Sequence, residues 1–260
     1  MSTSAGSAAD LGPFSLVGRT AIVTGAGRGL GQGIALGLAR AGADLVLVGL
    51  PDTQQETRDA VAAMGREVQV VDLDMGDHPA CQRAAEQLVA DRRIDILVNN
   101  AGIISREDSA SVTLDDWARV LDVNLTGLFL LTQGVGRSMI AQGSGKVISI
   151  ASLLSFQGGI RVASYTATKH AVAGLTRALA NEWAQYGVQV NAIAPGYMAT
   201  DNTAPLRADP ARSAAILERI PAGRWGTPDD VAGAAVFLAS GASDYVTGHV
   251  LVVDGGWMAR

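Results

Sequence analysis

Short apolar runs alternate with longer mixed segments along the chain. The runs are TAIVT (20–24), DLVLV (44–48), EVQVV (67–71), IDILV (94–98), KVISI (146–150), VQVNAI (188–193) and HVLVV (249–253). Each is nearly continuous in aliphatic residues, as a strand covered on both faces requires. The segments between them are rich in Ala, Leu and Arg. Strand, helix, strand repeated in this way predicts a parallel sheet with right-handed crossovers. The pattern therefore predicts a single α/β domain over 16–260, with a doubly wound parallel sheet of seven strands. A small, polar, flexible tail precedes it over 1–15. The stretch 197–224 breaks the alternation. It carries Pro205, Pro210 and Pro221 around a short helix and no strand, which predicts a small lid beyond a strand's carboxyl end.

Composition narrows the function classes. Hydrophobic residues make up 48% of the chain and charged ones 17%, enough for a buried core. The net charge of -5, with no basic run, gives no electrostatic case for nucleic acid or an anionic membrane. No apolar run is long enough to span a bilayer. One cysteine, Cys81, allows no internal disulfide and suits the cytoplasm. His78, His170 and His249 share no metal-ligand spacing, so no metal is expected.

Two stretches carry candidate chemistry. In TGAGRGLGQGIALGLARAG, Gly25, Gly29 and Gly31 punctuate the turn from the first strand into a helix over 30–41. Glycine there lets a diphosphate approach the main chain, and the helix aims its positive end at the phosphates. The spacing is neither G-x-G-x-x-G nor the lysine-bearing P-loop, but its place after a strand and before a helix predicts dinucleotide binding. In SYTATKHA, Tyr165 and Lys169 stand one helical turn apart on one face. Taken alone, the pair reads either as a surface contact or as a phenol made more acidic by an ammonium.

These motifs together resemble the short-chain dehydrogenase/reductase family over almost the whole chain. TGAGRGLG, NNAG (Asn99 to Gly102), the asparagine of VLDVNLTG, the serine of ISIASLLS, YTATK and NAIAPGYMAT occur in the family's order. The resemblance implies a Rossmann fold with strand order 3-2-1-4-5-6-7 and a nicotinamide coenzyme across the strand ends. It implies a catalytic set of Asn124, Ser152, Tyr165 and Lys169. Tyr165 would exchange the proton of the reacting hydroxyl, with its pKa of about 10 lowered by roughly 1–3 units by Lys169. Lys169 would also hold the coenzyme ribose, Ser152 would fix the substrate oxygen, and Asn124 would anchor a relay water. Gly25, Arg28, Gly29, Leu30 and Gly31 would border the coenzyme. So would Asp72 and Leu73 at the adenine, Asn99, Ala101 and Gly102, and finally Pro195, Gly196, Met198 and Thr200. By themselves Met198, Trp225 and Trp257 read as packing.

Coenzyme choice turns on the end of the second strand, where an acid favours NAD and basic residues favour NADP. Here LVLVGLPDTQQ places Gly49 at that point, with Asp52 shortly after and no Lys or Arg. Arg28 could meet a 2′-phosphate. NAD is the expected coenzyme, with NADP possible. SFQGGIRVASYTATK, APGYMATDNT, LRADPARSAAILERIPAGRWG and ASDYVTGHVLVVDGGWMAR resemble the family's sugar-acid branch. A sugar acid needs a carboxylate partner, for which Arg106, Arg161 and Arg207 are candidates. Gln157, Tyr197 and Asn202 are candidates for its hydroxyls, beside Ser152 and Tyr165. The alternatives are a broader ketone or 3-oxoacyl reductase using NADP(H), and a nucleotide-binding protein without catalysis. The resemblance further implies a homotetramer built through the Tyr165 helix and the last helix and strand.

Overall fold

The structure is a computed structural model in which residues 11–260 are described. Seven strands form one sheet: β1 (Thr20–Thr24), β2 (Asp44–Gly49), β3 (Val68–Asp72), β4 (Ile96–Asn99), β5 (Gly145–Ile150), β6 (Val188–Pro195) and β7 (Val250–Val253). Its order is 3-2-1-4-5-6-7 and all neighbours are parallel. Helices α1 (Gly29–Arg40), α2 (Gln55–Ala63), α3 (His78–Asp91), α4 (Leu114–Leu121), α5 (Leu128–Gln142) and α6 (Ala163–Trp183) are followed by α7 (Ala204–Ala208), α8 (Pro210–Arg219) and α9 (Pro228–Ala239). The continuous apolar runs have the cause expected of them. Alternate residues of β2 enter opposite cores: Leu45 and Leu47 join α1 and α9, while Val46 and Val48 join α3 and α5. Fully burying such side chains contributes about 1.5–3 kcal/mol each.

Strand bounds differ from the pattern where polar groups intervene. β4 starts at Ile96 rather than 94 because Asp95 ties the sheet's start together. Its carboxylate accepts from the Thr20 N–H at 3.0 Å, and Arg93 donates to it at 2.7 Å. β6 runs on to Pro195, a residue tolerated at a strand end because only its missing N–H is lost. Between α4 and α5 the helix widens into a π-helical turn, Asp122–Gly127. A Cβ on Gly127 would overlap the Met75 carbonyl, so this turn packs on the loop after β3.

The stretch 197–224 holds α7, α8 and a 3-10 turn, Asp201–Thr203, and no strand; Met198 makes an isolated bridge to Gly226. α8 buries Ile216 in a small apolar cluster with Leu153, Ile220 and Trp257. Of the tail expected over 1–15, residues 1–10 lie outside the described residues. Gly12–Phe14 form a 3-10 turn whose Phe14 ring meets Phe237 at 6.4 Å between centroids.

Candidate active site

The sheet order reverses at β1 and β4, and loops from their carboxyl ends part to leave a cleft of about 900 Å³. The glycine loop forms one wall. Gly25 and Gly29 have φ of +64° and +57°, a region that favours glycine, and a Cβ on Gly31 would overlap the Gly25 carbonyl oxygen. Arg28 precedes α1 in extended backbone, and no side chain caps the helix among the described residues. The first N–H groups of a 12-residue helix are thus free to face an anion. These features fit a dinucleotide diphosphate.

A residue overlooked in the sequence holds this wall in place. Asn100, the second asparagine of NNAG, donates from Nδ2 to the Thr24 and Gly25 carbonyls at 2.9 and 3.1 Å. Thr24 Oγ1 in turn accepts from the Asn100 and Ala101 N–H groups, both at 3.0 Å. The only sequence signal for Asn100 was its place inside the motif. Asn99 beside it points the other way: its side chain is buried and donates to Thr132 at 2.8 Å and Ser149 at 3.4 Å.

The predicted catalytic residues converge from three elements. Tyr165 and Lys169 lie one turn apart on α6, with the Lys169 Nζ 5.4 Å from the Tyr165 ring centroid. Ser152, just past β5, lies near enough to the Tyr165 hydroxyl to bear on its acidity, and its Oγ accepts from the Leu154 N–H at 3.1 Å. Asn124 sits in the π-helical turn. Its side chain accepts from the Ile103 N–H and donates to the Ile103 carbonyl, each at 2.8 Å. Asn124 Nδ2 also reaches Thr168 on α6 at 3.4 Å. It thereby fixes the NNAG loop against the Tyr165 helix.

Electrostatics differ from the expectation of an acidified phenol. Burial pushes the Tyr165 phenol up to about 12, against the opposing pull of the nearby Ser152 hydroxyl and then the Arg106 charge. Burial likewise pushes Lys169 down to about 8. The Lys169 ammonium donates to the Ile150 carbonyl at the cleft wall rather than to the phenol. Desolvation disfavours both charged forms and, among the protein's own groups, outweighs attraction between them.

The three arginines proposed for a carboxylate are linked through the main chain. Arg106 donates to the Asn202 carbonyl at 2.8 Å, Arg207 to the Thr200 carbonyl at 3.1 Å, and Arg161 to the Arg106 carbonyl at 3.2 Å. Arg161 itself has φ +61°. Arg28 forms an exposed ion pair with Asp201 at 3.3 Å. Gln157 is half-buried. Tyr197 packs its ring against Trp225 and Trp257, at 5.7 and 4.7 Å between centroids.

Of the coenzyme candidates, the glycine loop, Leu73, Ala101, Gly102 and Thr200 border the cleft. Asp72, Pro195, Gly196 and Met198 stand off its wall. Met198 is buried in the core, a Cβ on Gly196 would press on Asp254, and Asp72 points to solvent at the sheet edge. Asp52 is exposed and also stands off the wall, which Gly49, Leu50 and Thr53 form instead.

Known proteins resemble this chain along nearly its whole length. The family described as enoyl-(acyl carrier protein) reductase matches residues 25–258. The 2-dehydro-3-deoxy-D-gluconate 5-dehydrogenase of Bacillus subtilis (strain 168) is 58% identical over 247 residues, 95% of this chain and 97% of that protein. A crystal structure from Beutenbergia cavernae with NADP bound at low occupancy is 56% identical, with TM-score 0.94 over 96% of this chain and 100% of that one. The gluconate 5-dehydrogenase of Burkholderia cenocepacia J2315, in complex with NADP and tartrate, is 42% identical with TM-score 0.92, covering 95% and 98%. A cleft built for a dinucleotide, a Ser–Tyr–Lys cluster beside it and likeness along nearly the whole length have one reading: the chain belongs to the short-chain dehydrogenase/reductase family, as an NAD(P)-dependent dehydrogenase acting on a CH–OH group.

Proposed function

We propose that this dehydrogenase interconverts a secondary alcohol and a ketone on a sugar acid such as 2-dehydro-3-deoxy-D-gluconate or 2-deoxy-D-gluconate, with NAD as its working coenzyme. The observation that carries the reading is Tyr165 and Lys169 one turn apart on α6, with Lys169 bound to the Ile150 carbonyl at the cleft wall and Arg106 bound to the Asn202 carbonyl on the same wall. Tyr165 addresses the reacting oxygen and Arg106 can bind a carboxylate. The sugar-acid activities of the relatives support the substrate class.

A bound nicotinamide would supply the hydride exchange at the carbinol carbon and, when oxidised, a positive charge. Tyr165 exchanges the hydroxyl proton, taking it on oxidation and returning it on reduction. Ser152 donates to the same oxygen and fixes its position. Lys169, anchored on Ile150, meets the ribose hydroxyls and passes protons in this reading, which its bond to the cleft wall supports. Asn124 positions the loop and helix that frame them, and a relay water belongs beside it. Arg106 receives the carboxylate; Arg161 holds its main chain, and Arg207 holds the adjoining Thr200. Residues 197–224 act as the lid, with Asn202 at the cleft and Gln157 toward the hydroxyls. No Lys or Arg stands near Gly49 in the sequence, and Arg28 is paired with Asp201, which favours NAD. The NADP in similar structures favours NADP instead. With one cysteine and no helix among the described residues able to cross a membrane, the setting proposed is the cytoplasm.

The test follows reduced-nicotinamide absorbance with sugar acids and simple ketones, using NAD(H) and NADP(H). Sugar acids should be turned over with the highest kcat/KM. Tyr165→Phe should lose roughly 10²- to 10⁴-fold in turnover while still binding coenzyme. Preference for long apolar 3-oxo substrates would overturn the assignment, and an undiminished Tyr165→Phe variant would overturn the mechanism.

A further inference from the structure

The last turn of the chain bends back onto the stretch 197–224. Asp254 holds the bend, its carboxylate accepting from the Gly256 and Met258 N–H groups, each at 2.8 Å. Gly256 has φ of +94°, and a Cβ there would press on the Pro221 ring at 2.9 Å. The Ala222 N–H, just beyond α8, donates to the Gly255 carbonyl at 3.0 Å. Arg260 donates to the Glu218 carbonyl at 2.8 Å.

This turn delivers the Trp257 indole, which is 5% exposed. Its Nε1 has no hydrogen-bond partner among the described residues, a cost that a phenylalanine would avoid. The larger ring gains contact in three directions instead. Ile216 is the one buried residue of α8, and it lies in the indole's cluster together with Ile220 from the helix end. Arg219 stands over the indole face, 4.0 Å from the ring centroid. Leu153 joins the same cluster from the 3-10 turn Leu153–Ser155, whose N-cap is Ser152. That short turn orients Ser152: its Oγ accepts from the Leu154 N–H at 3.1 Å, and its carbonyl accepts from the Ser155 N–H at 2.9 Å. One ring therefore underlies both the docking of α8 and the turn that begins at Ser152.

We propose that Trp257 is a positioning residue for the reaction: its indole seats the lid helix and the Ser152 turn together, so that docking of α8 and placement of the Ser152 hydroxyl are coupled. The proposal rests on the role given to Ser152 above, and adds to it a residue from the far end of the chain.

Two measurements test it. The first is hydrogen exchange of the free protein, which needs no substrate. In Trp257→Ala the amides of α8 and of Leu153–Ser155 should both exchange roughly tenfold faster or more, with those of α1 at the wild-type rate. Trp257→Phe should restore most of the protection of both segments. The second is turnover of 2-deoxy-D-gluconate with NAD, in a double-mutant cycle with Ser152→Ala. Trp257→Ala should lower kcat roughly tenfold in wild type but less than about threefold in Ser152→Ala, because residues that act through one another do not add. Faster exchange of α8 alone, or an equal loss of kcat in both backgrounds, would reduce Trp257 to packing under the lid and overturn the proposal. Should Trp257→Ala not fold, Trp257→Leu, which keeps an apolar side chain in the cluster, takes its place. Undiminished kcat in Ser152→Ala alone would remove the role of Ser152 and the proposal with it. If wild type turned over no sugar acid, the substrate reading would fail and the exchange result alone would decide.

Discussion

A phenol and an ammonium withdrawn from water each favour the neutral form, and Tyr165 and Lys169 obey this together. A neutral phenol is a proton donor, so the pair as built suits reduction at neutral pH. Oxidation gains once the positive charge of the oxidised nicotinamide joins it. The stability consequence can be isolated at Lys169. Its folded pKa of about 8 lies below the ordinary 10.5. Below pH 8 the fold carries the cost of a buried charge. Between 8 and 10.5 the unfolded chain holds a proton that the folded chain has released, so this residue's contribution to stability improves as pH rises. Lys169→Met removes the charge and should abolish turnover. It should also stabilise the fold at pH 7 by on the order of 2 kcal/mol, which raises Tm by several degrees. The gain should shrink as pH climbs from 8 to 10.5, followed by calorimetry. A lower Tm at pH 7 would mean that the Ile150 carbonyl more than offsets desolvation of the ammonium.

Glycines separate function from local preference at the level of elements. Gly233 on α9 is exposed, with nothing within 4 Å of where a Cβ would stand. Gly233→Ala should therefore stabilise the fold by about 0.4–1 kcal/mol, through the unfolded chain. Gly31→Ala should reverse the sign. Its Cβ would overlap the Gly25 carbonyl and Asn100 Nδ2, costing about 1–3 kcal/mol, and coenzyme affinity should fall at least tenfold as the loop is pushed open. Paired denaturation and coenzyme titration check both; equal effects of the two substitutions would undo the argument. The need for glycine at position 31 was legible in the sequence from its place between a strand and a helix. The role of Asn100 was not, since its side chain acts on carbonyls 75 and 76 residues away. The π-helical turn that carries Asn124 was also hidden. An apolar period that fits an α-helix does not reveal one widened turn, which here is set by packing of Gly127 on the Met75 carbonyl.

The sheet follows from seven apolar runs, and its order from the family resemblance that the motifs carry. The helical excursion over 197–224 was visible as prolines and a missing strand. Its seating depends on long-range contacts with Leu153 and Trp257 that no local pattern encodes. The last strand leaves the sheet with an open edge among the described residues. β7 pairs only with β6 among the described residues, and Leu251, Val252 and Val253 stay partly exposed. An apolar edge with unpaired N–H and C=O groups is a template for further association unless something covers it. Closed two-fold interfaces would cover this edge and the outer face of the α6 layer in the homotetramer proposed from the family resemblance. Light scattering should then give a mass near four times the 26.7 kDa chain. Hydrogen exchange at Val250–Val253 should be slow at high concentration and quicken on dilution, as the edge is uncovered. A single-chain mass at micromolar concentration, with exchange along β7 independent of dilution, would show that the edge is tolerated bare and that the site is complete within one copy.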